Sequence, residues 1–423
     1  MILSLILTAF SLPLVWGVEN SSELWSKTFG GDGMDACTSM LQTADEGFAL
    51  FGYAHSFEAA SDWLVKTDEH GNMEWNKTIR GGVSFIQTSD GGFAFVGTNA
   101  SSIEGYIPVG IMPEGFWSHV WLAKTDEYGN IEWTQTYDEK TGYYHGSSVI
   151  QTTDGGFALA GSSFSYFGEY NDLVLIKTDS MGNNEWSRSY GGSDEEFDPY
   201  GLVQTSDGGF AMAAKTYSYG EGYVDIWLIK IDETGNTEWS RTYGGERMDY
   251  PTSLIQLSDG NFVLAGCADS FGARGYDFWL IKTDNQGNML WNQTYGTEYQ
   301  DTNPSLVQTL DGGFALAGFT WADPEAYFLL IKTDNRGIML WNQTYSGGAV
   351  IGLPTLIQTL DGGFALSGGK GSFGTEDFDF WLIKTDAQGI PEFPSWIILV
   401  FGVSIVFILS IIFRQRIKKG RKT

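Results

Sequence analysis

The chain has 423 residues with 52 Asp and Glu against 24 Lys and Arg, and it is rich in Gly (55), Trp (16), Tyr (20) and Phe (28). Six of the basic residues close the chain (Arg414, Arg416, Lys418, Lys419, Arg421, Lys422), so the remainder sets 18 bases against 52 acids, a formal charge of −34. Such a field repels phosphate backbones and argues against nucleic acid as a partner, while many glycines and aromatics with few helix-favouring runs point to short strands joined by tight turns.

Residues 2–16 are apolar and uncharged, and Val15-Trp16-Gly17 offers a small residue at which a signal peptidase can cut. A secretory signal peptide is expected over 1–17. No Lys or Arg precedes the apolar run, so an uncleaved anchor remains the alternative.

From Trp25 onward one pattern recurs seven times, clearest in Gln308-Thr-Leu-Asp-Gly-Gly-Phe314, Leu330-Ile-Lys-Thr-Asp334 and Trp341-Asn-Gln-Thr-Tyr345. The repeated tryptophans are Trp25, Trp75, Trp133, Trp186, Trp239, Trp291 and Trp341, spaced 50 to 58 residues apart. A fixed period of this size means one repeat architecture rather than several domains. Each interval holds four strand signals, A to D, typified by 305–309, 313–318, 278–283 and 289–295. Asp-Gly-Gly between A and B and Asp-x-x-Gly between C and D supply the positive φ that tight hairpins need. Strand C is almost continuously apolar, as in a strand covered on both faces. Strand B alternates small and large residues, which suits a crowded position near an axis.

The series begins with a lone D segment at Trp25 and stops at Asp386-Ala-Gln-Gly389, before the last D would recur. A linear stack would leave both ends incomplete. A ring lets Trp25-Ser-Lys-Thr-Phe29 pair with strand C of 379–385 and removes the exposed edges. The expected fold is all-β: a seven-bladed β-propeller of four-stranded antiparallel blades spanning 18–390, closed by its N-terminal strand. An antiparallel sandwich explains the period poorly.

Tight A–B and C–D turns share one face, so the variable B–C and D–A loops share the other, where a local site belongs. Those loops mix acids and aromatics: 164–170, 194–200, 217–223, 247–250 and 321–325. The longest, 98–119, is the one real insertion and reads as a lid or contact arm or, equally, as decoration on one blade. Aromatic faces beside carboxylates suit sugar rings, stacking on the apolar ring face and accepting from hydroxyls. Candidate ligand contacts are Tyr106, Trp117, Tyr143, Tyr144, Tyr166, Glu169, Tyr200, Tyr219, Tyr250 and Trp321; simple closure of the blade tops is the alternative reading. His55, His119 and His145 lie on this face without metal-ligand spacing, so no metal site is expected. Acidic loops could collect Ca²⁺, yet none matches Asp-x-Asp-x-Asp-Gly. Paired-carboxylate hydrolysis stays open, with no pair standing out, and no catalytic residue is assigned. Asp154-Gly-Gly and its equivalents, each with a Thr two positions earlier, partly imitate the Asp-box turn of sialidase-type propellers but lack its closing aromatic, and read as hairpins. Cys37 and Cys267 fall in non-adjacent repeats and are expected to be small semi-buried residues. Five sequons (Asn20, Asn76, Asn99, Asn292, Asn342) fit a glycosylated exported surface.

The stretch Ile281-Lys-Thr-Asp-Asn-Gln-Gly-Asn-Met-Leu-Trp291 resembles the tryptophan-docking motif of quinoprotein-type propellers, in which a glycine precedes the tryptophan by four positions. All seven C–D turns keep the glycine (Gly71, Gly129, Gly182, Gly235, Gly287, Gly337, Gly389). The turn is one residue shorter than the family's, and the family's threonine before the glycine is absent. The resemblance implies tryptophans packed between neighbouring blades. It does not extend to quinone catalysis, since no adjacent cysteine pair or calcium-ligand cluster is present, and no cofactor is expected.

Pro391-Glu-Phe-Pro394 lies in a short linker, 391–395. Residues 396–413 are 18 uncharged residues, about 27 Å of helix and close to the hydrocarbon thickness. A transmembrane helix is expected there, with the basic tail 414–423 cytoplasmic and 18–395 outside. Motif, helix and tail together resemble the three-part C-terminal signals of archaeal surface proteins, some of which are cut and re-anchored by an archaeosortase. The whole reads as a membrane-anchored cell-surface propeller that binds glycans or surface proteins, or alternatively as a glycan-active hydrolase or lyase using acids of the loop face.

Overall fold

In the computed structural model the described residues are 25–56, 61–100, 118–137, 143–164, 171–272, 275–322, 325–346, 349–371 and 377–390. The expected leader 1–17, most of the 98–119 insertion, the linker 391–395, the apolar run 396–413 and the tail lie outside them. Among the described residues no helix is long and apolar enough to cross a membrane.

Each repeat folds as four strands paired in chain order. Blade 5 is representative, with A at Asp249–Gln256, B at Phe262–Ala268, C at Asp277–Thr283 and D at Met289–Tyr295, all antiparallel. Seven such sheets form an all-β propeller. Blades 2 and 3 touch through a single parallel bridge, Tyr143 to Ser118. The seven A strands neighbour one another in an unbroken cycle in which blade 7 meets blade 1. Strand A therefore lies innermost, strand B behind it, and strand D on the outer rim, where its first residues are exposed.

Blade 7 joins the two ends of the chain. Its strands Ala349–Gln358, Phe364–Gly371 and Phe378–Thr385 are completed by Ser26–Phe29, in register from Ser26 opposite Ile383 to Phe29 opposite Phe380. The Lys384 N–H adds a 2.8 Å hydrogen bond to the Trp25 carbonyl.

The hairpins have the expected chemistry. In blade 6 the Thr309 hydroxyl donates to Asp311 at 2.6 Å, Asp311 accepts from the Gly313 N–H at 3.0 Å, and Gly312 takes a φ of +80°. A Cβ on Gly313 would collide with the Thr333 carbonyl and lie 2.8 Å from Lys332 Nζ. Lys332 uses that space to reach Asp311 at 2.9 Å, and its counterparts Lys66, Lys124, Lys177, Lys230 and Lys384 do the same in their blades.

The core is divided into wedges between blades rather than gathered at one centre. Each D-strand tryptophan lies against the next blade. Trp239 meets Phe262 edge-on at 5.9 Å, and its ring would be 2.6 Å from a Cβ on Gly287, which has a φ of +77°. The same contact runs from Trp25 onto Gly71, Trp75 onto Gly129, Trp133 onto Gly182, Trp186 onto Gly235, Trp291 onto Gly337 and Trp341 onto Gly389. Tyr243 adds a 2.6 Å hydrogen bond to the Gly287 carbonyl. Cys37 and Cys267 sit in blades 1 and 5, free and buried, and burial pushes each thiol up to about 11.

Candidate functional site

Many acids of the loop face are used to build it. Asp35, Glu196, Asp249 and Asp301, near the starts of their A strands, are fully buried. Each carboxylate takes a backbone N–H from the preceding D–A connection: Gly31, Gly192, Gly245 and Thr297, at 2.6 to 3.2 Å. It also ties down the far end of strand B or the start of the B–C loop, as in His55 and Ser56 N–H to Asp35, Ser270 N–H to Asp249 and Thr216 hydroxyl to Glu196. A buried carboxylate satisfied this way is a structural fastening, because removing its charge would orphan several donors.

Strand A is irregular in every blade. In blades 1, 2, 3 and 5 the irregularity is one residue. The register jumps from Thr302 to Ser305 in blade 6, from Ile351 to Thr355 in blade 7 and from Phe197 to Gly201 in blade 4. Asp198 in this bulge has a φ of +53°, and Pro199 follows it. Bulges of this kind re-aim side chains, and proline is tolerated because the inner edge of strand A needs no ladder donor. The opposite strand changes with it. Position six of strand B reads Tyr53, Thr98, Ser162, Lys215, Cys267, Phe319 and Gly369 around the ring, and the preceding glycine is replaced only in blade 4, by Ala214. Elsewhere that glycine lets a strand-A carbonyl approach: a Cβ on Gly161 or Gly266 would collide with the His145 or Tyr250 carbonyl.

Lys215 consequently stands among groups from two blades. Its ammonium is 2.9 Å from Asp198 and lies 5.5 Å from the Tyr200 ring and 4.8 Å from the Tyr250 ring. The Asp198 N–H donates to Ser162 of blade 3 at 3.3 Å, and the Asn303 N–H of blade 6 donates to Cys267 at 3.1 Å. Asn303 also has a positive φ, +55°. Burial raises the Tyr250 phenol, reinforced by Cys267, and raises Tyr200, reinforced by Asp198. Desolvation lowers the pKa of His145 in blade 3, against the opposing pull of Asp198. Tyr200 and His145 are exposed. A cation framed by two phenol faces beside a carboxylate can stack a ring, donate to an oxygen and accept from a hydroxyl.

Of the candidate residues, Tyr200 and Tyr250 are brought together here. Tyr219 stands apart on the rim of blade 4, its ring tilted against Trp227 at 5.0 Å beside an open groove of about 510 Å³ that also includes Arg241 and Thr242. Trp321 projects from blade 6, with its indole N–H 3.3 Å from the Thr302 hydroxyl. Tyr144 is buried in the wedge between blades 2 and 3, which withdraws its ring from any surface ligand. Tyr143 begins its strand, and nothing is described of its side chain; Tyr106, Trp117, Tyr166 and Glu169 lie outside the described residues. Lys215 and Ser162 were not singled out by the sequence, Asp198 entered only within loop 194–200 and Cys267 only as a small semi-buried residue, although one variable column of strand B holds Ser162, Lys215 and Cys267. Asn76, Asn292 and Asn342 are exposed on D strands, and Asn76 and Asn292 accept from Trp63 and Trp279 indole N–H groups at 3.2 and 3.1 Å. Asn99 lies in strand B of blade 2 and Asn20 outside the described residues. Among the described residues no group of three or more His, Cys, Asp or Glu is placed to hold a metal ion.

No family model matches the chain. A curated relative, the regulatory protein FlaEY of Caulobacter vibrioides, is 26% identical over 162 residues, covering 32% of this chain and 17% of that protein. Among solved structures, puromycin hydrolase superposes on 82% of this chain and 51% of its own with a TM-score of 0.52 and 13% identity. A polysaccharide lyase, an ulvan lyase, does so over 85% and 96% with a TM-score of 0.54 and 10% identity. At these identities the likeness is one of fold.

Proposed function

We propose that this chain is a membrane-anchored surface propeller whose loop face binds glycans or surface proteins, with the ligand seated over the channel mouth at Tyr200, Tyr250 and Lys215. The observation that carries this reading is the enclosure of Lys215 by two aromatic faces and Asp198, in the blade where Ala214 replaces the strand-B glycine of the repeat. Repeat positions serve packing, so a break that places polar and aromatic groups on the channel is where a ligand is best served. The acidic body disfavours densely charged polyanions and leaves neutral or sparsely carboxylated glycans. Secretion through 1–17, anchoring through 396–413 and glycosylation at the rim sequons belong to the same reading and rest on the sequence. The resemblance to tryptophan-docking propellers is supported by the contact each D-strand tryptophan makes with the next blade's turn glycine.

The second reading is a glycan-active hydrolase or lyase. It draws on Lys215, Asp198 and His145 as proton-transfer groups, and on a fold shared with a hydrolase and a polysaccharide lyase. The fastening role of Asp35, Glu196, Asp249 and Asp301 weakens its original form, which relied on plentiful loop acids. Incubating the protein with a polysaccharide panel, scoring thermal shift and released product together, separates the two. A shift without product supports binding, product supports the enzyme, and neither leaves a structural coat component.

A further inference from the structure

The tight-turn face, opposite the proposed ligand site, is not uniform around the ring. The residue two positions after the strand-A glutamine is Ala44, Ser89, Thr153, Ser206 and Ser258 in blades 1 to 5 but Leu310 and Leu360 in blades 6 and 7. These leucines are 78% and 72% exposed. The second residue of strand D is Glu74, Glu132, Glu185 and Glu238 in blades 1 to 4, each bound to the strand-C lysine. In blades 5 and 6 it is Leu290 and Leu340, both exposed. The residue after the C–D glycine is asparagine through blade 5 and becomes Ile338 and Ile390, exposed, in blades 6 and 7. In blade 6 the apolar positions are contiguous: Leu310 precedes Asp311, Asp311 pairs with Lys332, and Leu340 holds the place of the glutamate that would pair with that lysine.

We propose that this face of blades 5 to 7 rests on the outer surface of the lipid bilayer crossed by 396–413. The argument rests on the anchoring reading above and on where the chain leaves the ring. Ile390 is part of the apolar patch, and 391–395 are the only residues between it and the apolar run. Five residues reach at most about 17 Å when extended, so blade 7 is held next to the headgroups by its own anchor. Apolar side chains on such a surface gain by entering the interface, whereas exposed in water they serve nothing. Blades 1 to 4 also expose Met73, Tyr128, Ile131 and Met181 at their C–D turns and strand-D starts. They keep Glu and Asn, however, at the positions where blades 6 and 7 carry Leu and Ile, and they lie farther from the anchor, so they tilt away and the loop face is turned outward. The turn aspartates keep the surface acidic, so a zwitterionic bilayer is the preferred partner over an anionic one.

The test uses the full chain reconstituted into phosphatidylcholine vesicles containing a quencher lipid, with a fluorophore on Leu360→Cys or, as the equivalent control in blade 3, on Thr153→Cys. Cys37 and Cys267 are buried, so the introduced thiol takes the label. Flotation with the vesicles reports anchoring independently. Quenching at position 360 at least about twofold above that at 153 is expected for a group held near the headgroup boundary, within about 5–10 Å of it. Leu310→Ser with Leu340→Ser should relieve that quenching while flotation persists. Flotation with equal quenching at both positions overturns docking and leaves the anchor intact. Failure to float overturns the anchor reading and docking with it. Excimer formation between labels at 360 would mean that a second copy of the chain covers the patch, and would equally overturn the lipid assignment.

Discussion

Two glycines with the same backbone separate strain from packing. Gly287 and Gly312 have φ of +77° and +80°, but a Cβ meets the Trp239 ring at Gly287 and nothing at Gly312. Gly312→Ala should therefore cost only the left-handed strain, about 1–2 kcal/mol, and Gly287→Ala should add overpacking for about 3–4 kcal/mol in all. Urea midpoints of the two variants read the difference, and equal midpoints would sink the docking role of the tryptophan. Blade 5 has already varied the neighbouring turn: Leu257 and Asn261 replace the Thr and the second Gly found in other blades, and Lys282 is only half-buried. Titration divides the aspartates. Burial acts to raise Asp154 and Asp311, but hydrogen bonds from Lys177, Thr152 and Gly156, or from Lys332, Thr309 and Gly313, outweigh it and bring each to about 2. Their support is present above the unfolded carboxyl range near pH 4 and is lost as pH falls towards 2. Asp62 runs the other way. Burial, partly offset by the Gly81 and Gly82 N–H groups, pushes it up to about 6. The folded state then holds the proton more tightly than the unfolded chain, so stability is lost as pH rises from about 4 through 6. Asp62→Asn should raise the melting temperature at pH 7 and bring no gain at pH 4; an equal gain at both would refute the shift.

At the scale of the element, the strand that matters most is the short one at the start. Ser26–Phe29 supplies the fourth strand of blade 7, and Trp25 carries its contact to Gly71 and Phe48 of blade 1. Deleting residues up to Gly30 removes a strand, a tryptophan wedge and a blade interface, and should lower stability by at least about 3–5 kcal/mol. An unchanged denaturation curve would refute closure by this strand. This much was legible beforehand, because seven tryptophans and seven turn glycines at fixed offsets leave little freedom in pairing, and the missing D segment pointed to its replacement. Strand A was harder to place. Its bulges at Asp198 and Asn303 break the alternation that marks a strand, and only the unbroken cycle of A strands shows that it, not strand B, borders the axis.

For the whole molecule, closure decides what can meet. Lys215 of strand B in blade 4 and Tyr250 of strand A in blade 5 are far apart in the chain, and they meet because neighbouring blades set their inner strands side by side. A linear reading favoured the long aromatic loops, so it found Tyr200 and Tyr250 but passed over the lysine between them. Lys215→Met and Tyr200→Ala should each weaken glycan binding by roughly tenfold, about 1.4 kcal/mol, with melting temperature nearly unchanged; titration with the best ligand from the panel checks this, and full affinity in both variants would move the site elsewhere. The shared blade also imposes an order of events. Strand 26–29 is synthesised before every other strand of the ring, yet its partner, 378–385, is synthesised after them all. The opening strand must therefore wait unpaired through the assembly of six other blades, and a chain that stops short of residue 385 carries an unclasped strand and an open sheet edge. Completion of the ring is thus legible on the surface of the protein, as the presence or absence of two free edges in one blade.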